Sequence, residues 1–152
     1  MANVYYTWGR AKIHKGDGTV SLSSDTLKAI LVGSGYTPNP DHRYVDEGGG
    51  NDVIDHEISG TGYVAGHGNS GRRTLANVDV SVDDTANTMT VYADPAIWSG
   101  YNAGSVAKVV IAKEGTSDDT DAILISSIDT GFPILVTLGE LQIPLDDGFL
   151  TG

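Results

Sequence analysis

Four histidines, His14, His42, His56 and His67, are the residues best suited to chemistry, and two of them directly follow an aspartate, in Asp41-His42 and Asp55-His56. A metal centre needs three or more converging ligands, and a helix can pre-form one by H-x-x-x-H or E-x-x-H spacing; neither spacing occurs here. Loop histidines on an acidic surface account for all four. The acid clusters Asp118-Asp119-Thr120-Asp121 and Asp146-Asp147-Gly148 lack the ligand order of an EF-hand and read as solvated turns, with a weak surface Ca²⁺ or Mg²⁺ site as the alternative. Gly66-His67-Gly68-Asn69-Ser70-Gly71 has G-x-G-x-x-G spacing, and Gly60-Thr61-Gly62-Tyr63-Val64-Ala65 has its G-x-G-x-x-A variant. A phosphate loop must open a helix, so that backbone donors and the helix dipole meet the phosphate; here alternating valines follow, which is a strand pattern. The match is coincidence in a glycine-rich chain. No G-x-S-x-G elbow is present, no serine has a neighbouring base, and paired carboxylates such as Asp83-Asp84 fall in turns. A glycosidase would need two acids at a set separation across a cleft, which spacing along a chain does not reveal. No catalytic, metal-ligating or cofactor-binding residue is assigned, and an enzyme is the minority reading.

The elements that would position any such residues are strands. The chain has 152 residues, enough for one domain with a substantial core. Twenty glycines are about twice the usual share of about 7%, and with β-branched and aromatic residues plentiful they mark turns rather than disorder. Nine basic and twenty acidic side chains give a net charge of −11, which repels phosphate backbones and anionic lipid. Arg72-Arg73 is the only adjacent basic pair, so direct nucleic-acid binding is disfavoured. An acidic face for a basic partner competes with a plain solubilising surface, and the latter is the simpler account. With no cysteine there is no disulfide, thiolate zinc site or cysteine nucleophile. The first ten residues lack the apolar stretch of a signal peptide, and no segment approaches the roughly 20 apolar residues of a membrane span, so a protein made soluble in the cytoplasm is expected.

Residues 77–83 alternate valine with short polar residues, the pattern of a strand with one face buried, and Thr88 to Ala93 is its hairpin partner. Val78, Val80 and Val82 are expected to turn inward, and Trp98 to enter the core. Tyr5 to Ile13 is read as β, Thr19 to Leu22 as a short strand, and Leu27 to Val32 as a buried strand. Val106 to Ala112 and Asp121 to Ile128 form a second hairpin around a polar tip. Phe132 to Thr137 and Leu141 to Leu145 add one or two short strands, the latter at an edge because Pro144 cannot donate to a ladder. The resulting expectation is a single all-β domain spanning 1–152, a β-sandwich or jelly-roll-like body, with a long glycine-rich excursion at about 34–71. Loops of that size inside compact domains are usually functional.

Three stretches in order, Ile30-Leu31-Val32 leading to Tyr36-Thr37-Pro38-Asn39-Pro40-Asp41-His42, then Glu57 to Gly66, then Asp94-Pro95-Ala96-Ile97-Trp98-Ser99, resemble a family of small virion proteins encoded among the head and tail genes of tailed bacteriophages. The likeness covers Leu27 to Trp98. His67 to Arg73 departs from it as a small insertion before Leu75-Ala76-Asn77, and the C-terminal part fits only loosely. The resemblance implies a structural protein without catalytic residues. Within that class the favoured reading is a capsid decoration, or cement, protein on the outside of the head, with the major capsid protein and copies of itself as partners, in a homotrimer at local threefold positions. Tyr5, Tyr6, Trp8, Tyr36, His42 and Tyr44 are the candidate partner-binding residues, each weighed against packing in its own core. A tail or baseplate-associated protein, or a receptor-binding module, is the runner-up. Copy number per particle separates the two.

Overall fold

A computed structural model describes residues 3–129, 132, 134 and 139–151. Antiparallel strands dominate, as an all-β chain requires. A five-stranded sheet has the order β1-β8-β7-β2-β3, built from β1 (Val4–Tyr5), β2 (Leu27–Val32), β3 (Arg73–Thr74), β7 (Lys108–Lys113) and β8 (Ile123–Ile128). A three-stranded sheet joins β10 (Leu150–Thr151), β5 (Thr88–Tyr92) and β4 (Asp79–Asp83), and a two-stranded sheet joins β6 (Ala96–Tyr101) to β9 (Gly139–Ile143).

Because side chains alternate along a strand, each strand at the centre of the large sheet feeds two cores. Leu27, Ala29, Leu31, Val109, Ile111 and Ile125 face the smaller sheets and pack with Val91, Trp98, Leu141, Ile143, Phe149 and Leu150. Ile30, Val32, Val110, Ala112 and Leu124 face the other way and are covered by Tyr6, Tyr36, Val45 and Val53 from the N-terminus and the long excursion. The β7–β8 hairpin is therefore buried on both faces, which is why its strands read as mostly apolar runs, broken in β8 by the buried Ser126 and Ser127.

Several expectations are corrected. The segment read as β from Tyr5 to Ile13 has only two strand residues, and α1 (Thr7–Lys15) follows. Lys12, His14 and Lys15 in its last turn favour the negative end of the helix dipole, and Gly16 ends it in the left-handed conformation (φ 66°). Gly9 faces β8 so closely that a Cβ there would fall on the Leu124 carbonyl. Thr19 to Leu22 forms bends and a turn rather than a strand. The 34–71 excursion is a long connection, with one short helix, α2 (Val53–His56), capped reciprocally by Asp52 and Asp55. Phe132 to Thr137 lies largely outside the described residues; Ile134 bridges Val106. β9 stops at Ile143, immediately before Pro144, and pairs with β6 alone.

The largest correction concerns the valine ladder. The β4–β5 hairpin exists, turned at Asp83, whose Oδ1 accepts from the amides of Thr85 (2.9 Å) and Ala86 (3.0 Å). Yet every β4 residue is exposed, with Val82 at 69% and Val80 at 39%. Val80 stands opposite Val91, which stands opposite Leu150, so one row runs from a bare edge to a filled core. Val91 and Leu150 take the core positions, and the hairpin projects beyond them with its apolar face uncovered.

Candidate functional site

The N-terminal segment and residues 40–45 meet along the β8 edge. The Tyr6 amide donates to the Ile125 carbonyl (3.0 Å), the Thr7 amide to the Pro40 carbonyl (3.0 Å), and the Leu124 amide to the Arg43 carbonyl (2.9 Å), while Tyr44 bridges Ile123. Glu47 Oε1 accepts from the Tyr44 amide (2.8 Å) and also from the Arg43 amide, bending the chain so that the Arg43 side chain reaches α1. There the Trp8 ring takes two cations: Lys12 Nζ lies 4.3 Å and Arg43 Cζ 4.5 Å from its centroid. Such stacking is worth about 0.5–1 kcal/mol at an exposed site. Thr7, Trp8, Ala11, Asp41 and Arg43 line an open cleft of about 360 Å³.

This shelf is the most cationic part of an acidic chain. Residues 1–16 contain Arg10, Lys12 and Lys15 and no Asp or Glu, whereas the chain as a whole has twenty acids to nine Lys and Arg. Asp17 pairs with Lys15 (3.4 Å) and Lys12 (3.9 Å); hydrogen bonding from Thr19, then the nearby lysines, holds its carboxyl well below the usual range. Among the described residues, Arg10 and Arg43 have no carboxylate within ion-pair distance. An aromatic face flanked by donors suits a protein surface bearing carboxylates and apolar side chains.

The six candidate residues divide. Trp8 is half-buried and lines the cleft; His42 is half-buried, Tyr44 is half-buried against the inner core, and Tyr5 is half-buried on β1, its hydroxyl accepting from Thr151 (3.1 Å). Tyr6 and Tyr36 are corrected: both lie inside the outer core, their hydroxyls hydrogen-bonded to each other. Burial pushes the Tyr36 hydroxyl up to about 12, and burial together with Tyr36 raises Tyr6 further still. These two carry the shelf rather than belong to it. His42 Nδ1 lies 3.9 Å from Asp52 Oδ1, and His56 lies beside the Tyr36 ring, centroids 6.1 Å apart.

Just before β3 lies a second charged arrangement, which spacing along the chain does not reveal. Arg72 forks onto Glu57 (Nε 2.9 Å, Nη2 2.7 Å) and onto Asp119 (Nη1 2.6 Å, Nη2 2.9 Å). Glu57 also accepts from the Tyr63 hydroxyl (2.9 Å) and the Gly66 amide (3.2 Å), and Tyr63 accepts from the Leu31 amide (3.1 Å). Burial alone would lower the Arg72 pKa, but hydrogen bonds and charge from Glu57 and Asp119 raise it, so the cation persists at any accessible pH. Asp119 is thus no solvated turn residue. One guanidinium held by two carboxylates leaves the cluster at a net charge of −1, and it forms a strut that fixes the 57–72 loop to β2 and to the β7–β8 tip. The partners of Arg72 lie 15 and 47 residues away, too far for a sequence signal. The cationic shelf did leave one: the absence of acids before Asp17.

The G-x-G-x-x-G loop runs into β3, not a helix, and the Gly71 carbonyl accepts from the Trp98 indole (2.5 Å). Among the described residues no group of three or more His, Asp or Glu could hold a metal ion, and no helix is long and apolar enough to cross a membrane. Compared with models of known protein families, with curated proteins and with solved structures, the chain matches none of them.

Proposed function

We propose that the chain is a structural protein of a tailed-phage virion, a decoration protein that binds the outside of the head and stabilises it, without catalysis. The observation that carries this reading is the shelf of Trp8, Lys12 and Arg43, an open aromatic and cationic surface held by backbone hydrogen bonds to β8. Such a surface suits docking onto protein. Support also comes from where the resembling stretches fall: Val32 bridges Glu57, the Leu31 amide donates to Tyr63, and Tyr63 and Trp98 rings lie 6.2 Å apart. Stretches distant in the chain therefore build one scaffold beneath the surface loops. Its partners are the major capsid protein and further copies of itself.

The test is to add the purified protein to phage heads that lack it, then sediment and image them. Hundreds of copies per particle on the outer shell, with heads more resistant to heat, are expected. Failure to bind heads overturns the reading, and a handful of copies confined to the tail replaces it with a tail or baseplate role.

A further inference from the structure

The β4–β5 hairpin and the shelf belong to different sheets. α1 packs on β8 beside β1 in the five-stranded sheet, whereas β4 is the outer strand of the three-stranded sheet. Val80 and Val82 are exposed and the Trp8 cleft is open, so within one copy the two surfaces do not cover each other. Their chemistry is complementary. Between Thr74 and Ala107 the chain has four aspartates, Asp79, Asp83, Asp84 and Asp94, and no Lys, Arg or His. The projecting end of the hairpin combines exposed Val80 and Val82 with Asp83 and Asp84 at the turn. The shelf offers the Trp8 ring with Arg10, Lys12, Lys15 and Arg43, beside which stand the carboxylates of Asp17, Asp41 and Glu47.

We propose that the hairpin of one copy docks into the Trp8–Arg43 cleft of the next, head to tail, so that the protein assembles with itself through unlike surfaces. Val82 enters the cleft beside Ala11 and the rim of the indole, and the Asp83 and Asp84 carboxylates meet Arg43 and Lys12. A contact between unlike surfaces repeats, closing into a ring when the rotation permits, and closure compensates for a small single interface. The symmetric alternative, edge pairing of β4 with β4 of a second copy about Ser81, places Asp79 opposite Asp83 at both ends, and like charges directly opposite are destabilising. The proposal rests on the docking reading of the shelf given above and names the partner there as another copy of this chain.

Sedimentation of the purified chain over a range of concentrations, at low and high salt, tests it. Mass above the monomer is expected at low salt, falling as salt rises, because exposed charges are screened beyond about 10 Å at 0.1 M. Asp83→Lys with Asp84→Lys is expected to give a monomer alone, as is Lys12→Glu with Arg43→Glu. Mixing the two monomeric variants should restore assembly, since each then meets a complementary surface. Val82→Asp, at a side chain with nothing to support in its own copy, should also give a folded monomer, and this arm stands even if the shelf variant unfolds. A wild-type monomer at all concentrations, or assembly unchanged by the hairpin substitutions, overturns the proposal. Heads play no part in these measurements. Protein that assembles but does not bind heads therefore removes the virion reading alone, and a monomer that binds heads removes this one alone.

Discussion

The hairpins β4–β5 and β7–β8 are alike in sequence, two runs of β-branched residues around a polar acidic turn, and opposite in environment. β7–β8 lies between two cores with Ile111 on one side and Leu124 on the other, both fully buried; β4 has no buried residue. Their tips differ in the same sense. Arg72 pins the β7–β8 turn through Asp119, whereas the β4–β5 turn is held by Asp83 bonding its own loop. Alternation of valine with polar residues thus identifies a strand and the face it would bury, but leaves open whether its own domain supplies the cover.

The strongest way to break the comparison is at the strut. Arg72→Ala leaves Glu57 and Asp119 as uncompensated buried charges and is expected to cost about 3–5 kcal/mol in urea unfolding. A cost below about 1 kcal/mol would mean that the β7–β8 tip needs no pin.

Next comes packing. Ile111→Ala is expected to lose about 2–5 kcal/mol, as buried large-to-small changes do, while Val82→Ala should stay within about 0.5 kcal/mol for the isolated chain. Equal losses at the two sites would erase the distinction between the hairpins.

The smallest expected effect sharpens what lies under the shelf. Tyr36 ionises near 10 when unfolded and about 12 when folded, so its contribution is complete below pH 10 and is lost as pH rises to 12. Stability should fall above pH 10 by about 1.4 kcal/mol per pH unit for this one group. Tyr6 and Tyr63, both raised by burial, act in the same direction. Absorbance at the tyrosinate band should show these three ionising together with unfolding.

The parts of the fold legible in the sequence were those where one strand's own side chains decide the matter. β2, β7 and β8 are apolar runs of the right length, and the turns around Asp83 and residues 114–120 are marked by acids and glycine. α1 was misread because its aromatics resemble strand residues, although Gly16 and the basic last turn carried a helix signal. At the site, residue type did not separate Trp8, which lines the cleft, from Tyr6 and Tyr36, which lie in the outer core.

By itself the sequence determined an acidic, cysteine-free, all-β chain, because charge, composition and local periodicity are sums over near neighbours. Only the tertiary structure decided which tyrosines lie inside, that Arg72 joins Glu57 to Asp119, and that the valines of β4 stand bare. Each of those depends on which distant segment arrives to cover or pair a side chain, and the free energy of burial or of an ion pair belongs to both partners at once.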